Sequence, residues 1–176
     1  MAACSKLTAS TTGDQPSHRS SHHQLTTPTR VGEDKTNGSA FQNINCYSST
    51  NLVEWKYEGA LLTRTDSGDL GPSRVIERPK VVYNKATGKY VLWMHIDSSS
   101  YGEAKVGVAT GTSVCGSYDY KGSFRPLGFE SRDSSVFIDD DDKGYLLTED
   151  VSCHSSTPSL HIATHLCFEP WQLISV

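Results

Sequence analysis

An all-β fold is predicted by three observations. Between about Val31 and Asp150 the chain consists of short β-branched and aromatic runs cut by Gly, Asn and Asp. A two-strand pattern recurs within this zone. It opens on Glu77-Arg78-Pro79-Lys80 and runs through Val81-Val82-Tyr83-Asn84 to Lys89-Tyr90-Val91-Leu92-Trp93. It returns 55 residues later as Arg132-Asp133-Ser134-Ser135, Val136-Phe137-Ile138-Asp139 and Gly144-Tyr145-Leu146-Leu147. No segment sustains a 3.6-residue apolar period, so helices should be few.

The elements follow in order. Residues 1–30 hold no aromatic side chain and are rich in Ser, Thr, His and Gln, a composition that buries too little surface to offset chain entropy, so this segment is predicted to be disordered. Phe41 to Ser48 reads as a strand, and Asn51-Leu52-Val53-Glu54-Trp55 as the turn after it. Val81 to Tyr83 and Tyr90 to His95 are strands joined by Asn84-Lys85-Ala86-Thr87-Gly88, a hairpin loop with Gly at its close. Lys105 to Thr110 is a further strand. Val136 to Ile138 and Tyr145 to Thr148 should pair around the turn Asp139 to Lys143. Residues 151–176 change texture: they contain one charged side chain, Glu169, and no Gly, Tyr, Lys, Arg or Asp. They are not expected to continue the same fold.

A second echo supports a modular architecture. Tyr47-Ser48-Ser49 running to Trp55-Lys56-Tyr57-Glu58-Gly59 is matched by Val108-Ala109-Thr110 running to Tyr118-Asp119-Tyr120-Lys121-Gly122. Repeats of about 55 to 63 residues suggest antiparallel sheets of about four strands, the size of a propeller blade. A closed ring needs at least four blades. Residues 31–150 supply about two.

Composition excludes several classes of function. The chain has 176 residues, 36% of them hydrophobic, and a net charge of -4, enough for one soluble domain with a core. Its 16 Lys and Arg lie scattered among 20 acids without a basic stripe, so nucleic acid is not expected as a partner. No apolar run approaches a membrane span, and Met1 to Ser10 lacks the basic flank and apolar stretch of a secretory signal. The five cysteines, Cys4, Cys46, Cys115, Cys153 and Cys167, form no CxxC pair and resemble neither a zinc ribbon nor a disulfide framework; a single Cys46–Cys115 bridge is open.

Glycoside hydrolysis needs two carboxyl groups flanking a sugar bond. Glu77 and Asp133 are the candidates, each at the start of a repeat unit and beside an arginine, Arg78 and Arg132, that can hold or orient it. On the bland alternative, both are solvated acids at strand ends. Tyr101, in the loop Asp97 to Gly102, is a candidate aromatic platform for a sugar, whereas Trp55 and Trp93 fall within the repeats and read as core. His95 and Asp97, at the end of the strand that precedes this loop, could reach the pocket, but a lone His near a strand end is usually structural.

Taken in order, Gly32-Glu33-Asp34-Lys35, Tyr47-Ser48-Ser49-Thr50-Asn51-Leu52-Val53-Glu54-Trp55, Glu77-Arg78-Pro79-Lys80, Ser131-Arg132-Asp133 and Tyr145-Leu146-Leu147-Thr148-Glu149-Asp150 resemble fungal members of glycoside hydrolase family 43, specifically the exo-acting galactan 1,3-β-galactosidases. The resemblance covers roughly residues 31–150. It implies a partial five-bladed β-propeller, about two blades plus part of a first, with β-1,3-galactan or a galacto-oligosaccharide as ligand. It implies that Glu77 is a pocket carboxylate and that Asp133 tunes the proton donor and orients substrate; side-chain chemistry adds Arg78, Arg132 and Tyr101 as candidate substrate contacts. The family's proton-donating Glu lies about fifty residues beyond Asp133, a position this chain does not reach, and the ordinary base would fall before Val31. The expected polypeptide is therefore a glycosidase fragment with negligible hydrolysis. The alternative is a non-catalytic carbohydrate-binding or interaction fragment. The family is secreted, and residues 151–176, with 1–30, are expected to derive from a gene model that reads through an intron or misses exons.

Two other groupings carry less. Asp139 to Asp142 could attract a cation, but calcium loops space their ligands and end in a bidentate acid, so a solvated hairpin turn is expected. Cys153, His154, His161, His165 and Cys167 match no standard zinc spacing. No metal or other cofactor is expected.

Overall fold

A computed structural model describes residues 27–35 and 40–150 and the backbone of 166–168. The expected disorder of residues 1–30 therefore falls almost wholly outside the described residues, as do Cys153, His154, His161 and His165. The described part is all-β. Ten strands form three antiparallel sheets, and two short 3₁₀ turns, Gly68–Leu70 and Pro126–Gly128, are the only helical pieces among the described residues.

The first sheet is a meander of β1 (Thr29–Lys35), β2 (Phe41–Ser48) and β3 (Lys56–Thr63). The second is a four-stranded meander of β4 (Arg74–Asn84), β5 (Lys89–Ser98), β6 (Lys105–Gly111) and β7 (Asp119–Phe124). In the third, β8 (Ser134–Ile138) pairs with β9 (Gly144–Thr148), whose other edge takes β10 (Leu166–Phe168). Thus a three-residue piece of the compositionally distinct tail is hydrogen-bonded to the repeat zone.

The turns form for local reasons. After β2 the Ser49 hydroxyl accepts the N–H of Leu52 at 2.8 Å, and the Asn51 side-chain oxygen accepts those of Val53 and Glu54 at 2.9 Å. Ser and Asn thereby take over donors that a ladder would otherwise bind. The β4–β5 hairpin closes through Gly88 N–H to the Asn84 carbonyl at 2.9 Å, with Gly88 at φ 66°. In the β8–β9 turn Asp139 and Asp141 accept the N–H groups of Asp140 and Lys143, and Lys85 and Lys143 pair with Asp142 and Asp141 at 2.7 and 2.8 Å. These acids are occupied with building a hairpin.

The Tyr47/Val108 echo has a structural meaning. Cys46 pairs with Gly59 and Tyr47 with Tyr57, which leaves Glu58 unpaired; Val108 pairs with Gly122 and Ala109 with Tyr120, which leaves Lys121 unpaired. Gly59 and Gly122 sit at φ 127° and 129°, a region that side chains disfavour. The repeat is therefore a glycine bulge placed at the same point in two sheets.

Two apolar clusters stack the sheets. Phe41, Ile44, Cys46, Leu61 and Leu62 of the first sheet pack against Ile76, Leu92, Met94, Ile96 and Ala109 of the second. Successive strand residues point to opposite faces, so Val91, Trp93 and Val106 line the other side of the second sheet, where they meet Leu146 and Val136 of the third. Trp93 is thus core, as its place in the repeat suggested, and Trp55 is half-buried ahead of β3. A disulfide between Cys46 of β2 and Cys115 of the β6–β7 loop, 69 residues apart, ties the first two sheets covalently.

Candidate functional site

The site is built where β4 breaks its own ladder. Glu77 pairs with His95 and Lys80 with Trp93, so Arg78 and Pro79 together face a single residue of β5. Proline has no N–H to give the ladder, and Arg78 adopts a left-handed backbone at φ 56°. Such a bulge re-aims the side chains around it.

Glu77 is the hub. One of its oxygens accepts a hydrogen bond from Lys35 Nζ of β1 at 2.7 Å and another from the Tyr101 hydroxyl at 3.2 Å. The other oxygen lies 3.7 Å from Nδ1 of the buried His95. Partial burial by itself would raise the Glu77 pKa, but Lys35, the Tyr101 hydrogen bond and His95 outweigh it and hold the carboxyl below its ordinary value. Tyr101 responds in the opposite sense: burial first, then the Glu77 charge, raises its phenol above 10.

Arg78 and Asp133, equivalent positions of the two repeat units, meet as a bidentate pair, Nε to Oδ1 at 2.9 Å and Nη2 to Oδ2 at 2.8 Å. Both are more than half exposed. Asp133 holds Arg78 more firmly protonated. Arg132 turns the other way: Nη2 donates to the Tyr101 carbonyl at 2.9 Å, and Nη1 lies 3.4 Å from Asp97 Oδ2. The segment leading into β8 is fastened to the second sheet by Ser131 N–H, which donates to the Ala104 carbonyl at 2.8 Å.

All five residues singled out from the sequence therefore converge. Glu77, Tyr101 and Arg132 form one chain of contacts, and Arg78 and Asp133 form a pair beside it. Three further residues complete the cluster. Lys35 stood in a family-like motif with nothing to mark it as a partner of Glu77. His95 and Asp97 carried a weak signal, polar residues at the end of an otherwise apolar strand, and both are buried in β5. Among the described residues no group of three or more His, Cys, Asp or Glu is arranged to hold a metal ion.

Comparison with known proteins fixes the lineage. The family model for glycosyl hydrolases family 43 matches residues 29–166. The chain belongs to glycosyl hydrolase family 43. Among solved structures it is similar to the exo-β-1,3-galactanase of Phanerochaete chrysosporium with galactose, at 45% identity and a TM-score of 0.70, over 72% of this chain and 30% of that one. The same fungal enzyme crystallised with β-1,3-galactotriose matches at 47% identity and a TM-score of 0.66, over 68% and 29% of the two chains. An exo-β-1,3-galactanase from Clostridium thermocellum matches at 37% identity and a TM-score of 0.65, over 69% and 29%. This family 43 chain thus spans less than a third of the length of these enzymes. A comparison with curated protein sequences finds no match.

Proposed function

We propose that this chain carries one side of the galactan site of an exo-acting β-1,3-galactanase, and that alone it binds the end of a β-1,3-galactan or galacto-oligosaccharide without appreciable hydrolysis. The observation that carries this reading is the Glu77 cluster: an ionised carboxylate, a lysine and a phenol, beside the Arg78–Asp133 pair. A few convergent polar groups of this kind fix the orientation of a sugar, and the Tyr101 ring, 37% exposed, offers an apolar face to its C–H surface. Galactose and β-1,3-galactotriose are the ligands of the fungal relative. The stacking of three antiparallel sheets supports a partial five-bladed propeller, the second sheet being a full blade and the first and third parts of its neighbours.

The electrostatics support one division of roles within this proposal. A glycosidase acid must stay protonated until it meets the leaving oxygen, whereas Glu77 is pushed toward ionisation. Glu77 is therefore not that acid; on the present reading it is a pocket carboxylate, Asp133 orients substrate with Arg78, and the proton donor comes from elsewhere in the full-length enzymes. A general acid is worth about 10²- to 10⁴-fold in rate. The Cys46–Cys115 bridge supports secretion, because disulfides persist in oxidising compartments.

The test is calorimetric titration of the chain with β-1,3-galactotriose, beside an assay for galactose released from β-1,3-galactan. Saturable binding is expected, weakened by Glu77→Gln by about 2 kcal/mol, roughly 30-fold, as for loss of a charged hydrogen-bond partner. No galactose should appear. Failure to bind overturns the galactan reading, and turnover at the rate of the full-length enzymes overturns the assignment of Glu77 and Asp133 as supporting groups.

A further inference from the structure

The β5–β6 loop, residues 99–104, is anchored on one buried carboxylate. Asp97 has no exposed surface. Its Oδ1 accepts the N–H groups of Ser98 and Glu103, both at 2.8 Å, and Oδ2 accepts that of Ala104 at 3.1 Å. His95 Nε2 lies 3.0 Å and Arg132 Nη1 3.4 Å from Oδ2. A charge taken wholly from water is costly unless its lone pairs are filled, and five donors fill them. Burial alone would raise the Asp97 pKa, but these hydrogen bonds lower it.

The three backbone donors come from the two ends of the loop, so the carboxylate draws those ends together. Tyr101 within the loop and Ala104 at its end stand at φ 57° and 45°, left-handed conformations that persist only where the surroundings over-determine them. Arginines supply the remaining restraint. Arg125 donates to the Glu103 carbonyl at 2.8 Å and the Gly102 carbonyl at 3.2 Å, Arg74 grips the Glu103 carboxylate, and Arg132 holds the Tyr101 carbonyl. At the tip, the Tyr101 hydroxyl reaches Glu77. Asp97 also holds the ring of His95, whose other nitrogen faces the second oxygen of Glu77.

We propose that Asp97, with Arg132 spanning it, is a positioning residue of the site: its buried carboxylate sets the loop that delivers Tyr101 to Glu77 and orients His95 behind the same carboxylate. Only the ligand class rests on the galactan reading; the positioning rests on geometry alone.

The test labels the 176-residue chain with 3-fluorotyrosine and follows Tyr101 by 19F NMR through its titration, with Tyr101→Phe assigning the signal. The charged and titratable groups around Tyr101 are Glu77, Lys35, His95, Asp97 and Arg132. In the parent the phenol is expected to titrate above its value in the unfolded chain. Asp97→Asn turns an acceptor into a donor facing backbone N–H groups, so the loop should loosen and the Tyr101 titration should fall toward the unfolded value. Loss of the Asp97 charge by itself also lowers it, and Arg132→Gln removes this ambiguity. Losing a cation would raise the titration if only charge mattered, whereas a freed loop lowers it.

A downward shift in Arg132→Gln, matched by a folded Asp97→Asn, is the expected result. An unchanged or raised titration in Arg132→Gln overturns the proposal, and this variant decides the matter by the same sign if Asp97→Asn does not fold. β-1,3-Galactotriose affinity should fall tenfold or more in the shifted variants. If the parent itself does not bind this sugar, the galactan reading falls while the Tyr101 measurement still decides the positioning role.

Discussion

The second and third sheets begin with the same repeated pattern, yet they occupy different environments. Val81 pairs with Leu92 in one and Val136 with Leu146 in the other, so the first strands of the two units match at 55 residues and the second strands at 54, the third sheet's turn being one residue shorter. Val82, Val91 and Trp93 of the second sheet are then equivalent to Phe137, Tyr145 and Leu147 of the third. The former lie under the third sheet, Trp93 being only 5% exposed. Of the latter, Phe137 and Leu147 are exposed, at 54% and 37%, and Tyr145 is half-buried. The pattern of alternating residues specifies strands and a turn, and whether a face is core depends on what stacks on it.

That difference predicts unequal responses to truncation. Trp93→Ala removes the largest side chain at the joint between the second and third sheets, and large core aromatics lost to alanine cost about 3–5 kcal/mol. Denaturant unfolding should show a loss of this size. The joint between the first and second sheets has a covalent staple that the other lacks among the described residues. Replacing Cys46 and Cys115 by Ser frees a 69-residue separation, and loop-closure arguments give about 4 kcal/mol for a loop of that order. Hydrogen exchange should then report the loss chiefly in β2 and β3. If β8 and β9 lose equal protection, the two joints unfold together and the contrast between them fails.

How much of this was legible follows from the same contrast. β2, β5, β6 and both turns of the repeated hairpins stand out because each concentrates β-branched or aromatic residues between polar turn formers. β3 and β7 do not, because the glycine bulges at Gly59 and Gly122 and the charged residues beside them blur the alternation. The convergence of Glu77, Arg78, Arg132 and Asp133 could be guessed from the repeat, since equivalent positions of stacked units come close in space, and Tyr101 only from its aromatic ring in a loop. Lys35 and Asp97 could not. The first reaches Glu77 only through the stacking of two sheets, and the second works through backbone N–H groups that carry no signature in sequence.

Acid should act on the second sheet before it reaches the packed joint. Arg74 and Lys105 hold the Glu103 carboxyl down to about 2, against an ordinary value of 4.5. The folded state therefore favours the ionised form. This contribution is complete above about pH 4.5 and is lost as pH falls toward 2. The melting temperature of the parent should fall across that window more steeply than that of Glu103→Gln, whose Arg74 pairing no longer titrates. Parallel curves for the two would mean that the carboxylate is not paired in solution, and the anchoring of the loop to β4 would have to be reassigned to its backbone contacts.

The smallest effect on stability, and the sharpest probe of the comparison, is expected at the bare face. Phe137→Ser should change the unfolding free energy by no more than about 0.5 kcal/mol, as for other exposed sites, although its equivalent in the second sheet, Val82, packs against the cluster beneath the third sheet. An exposed row of apolar side chains on a strand pair also promotes association. Sedimentation of the parent should thus show self-association that the serine variant reduces, at unchanged secondary structure. A cost approaching that of Trp93→Ala would mean that the face is covered in solution, and that the third sheet is as enclosed as the second.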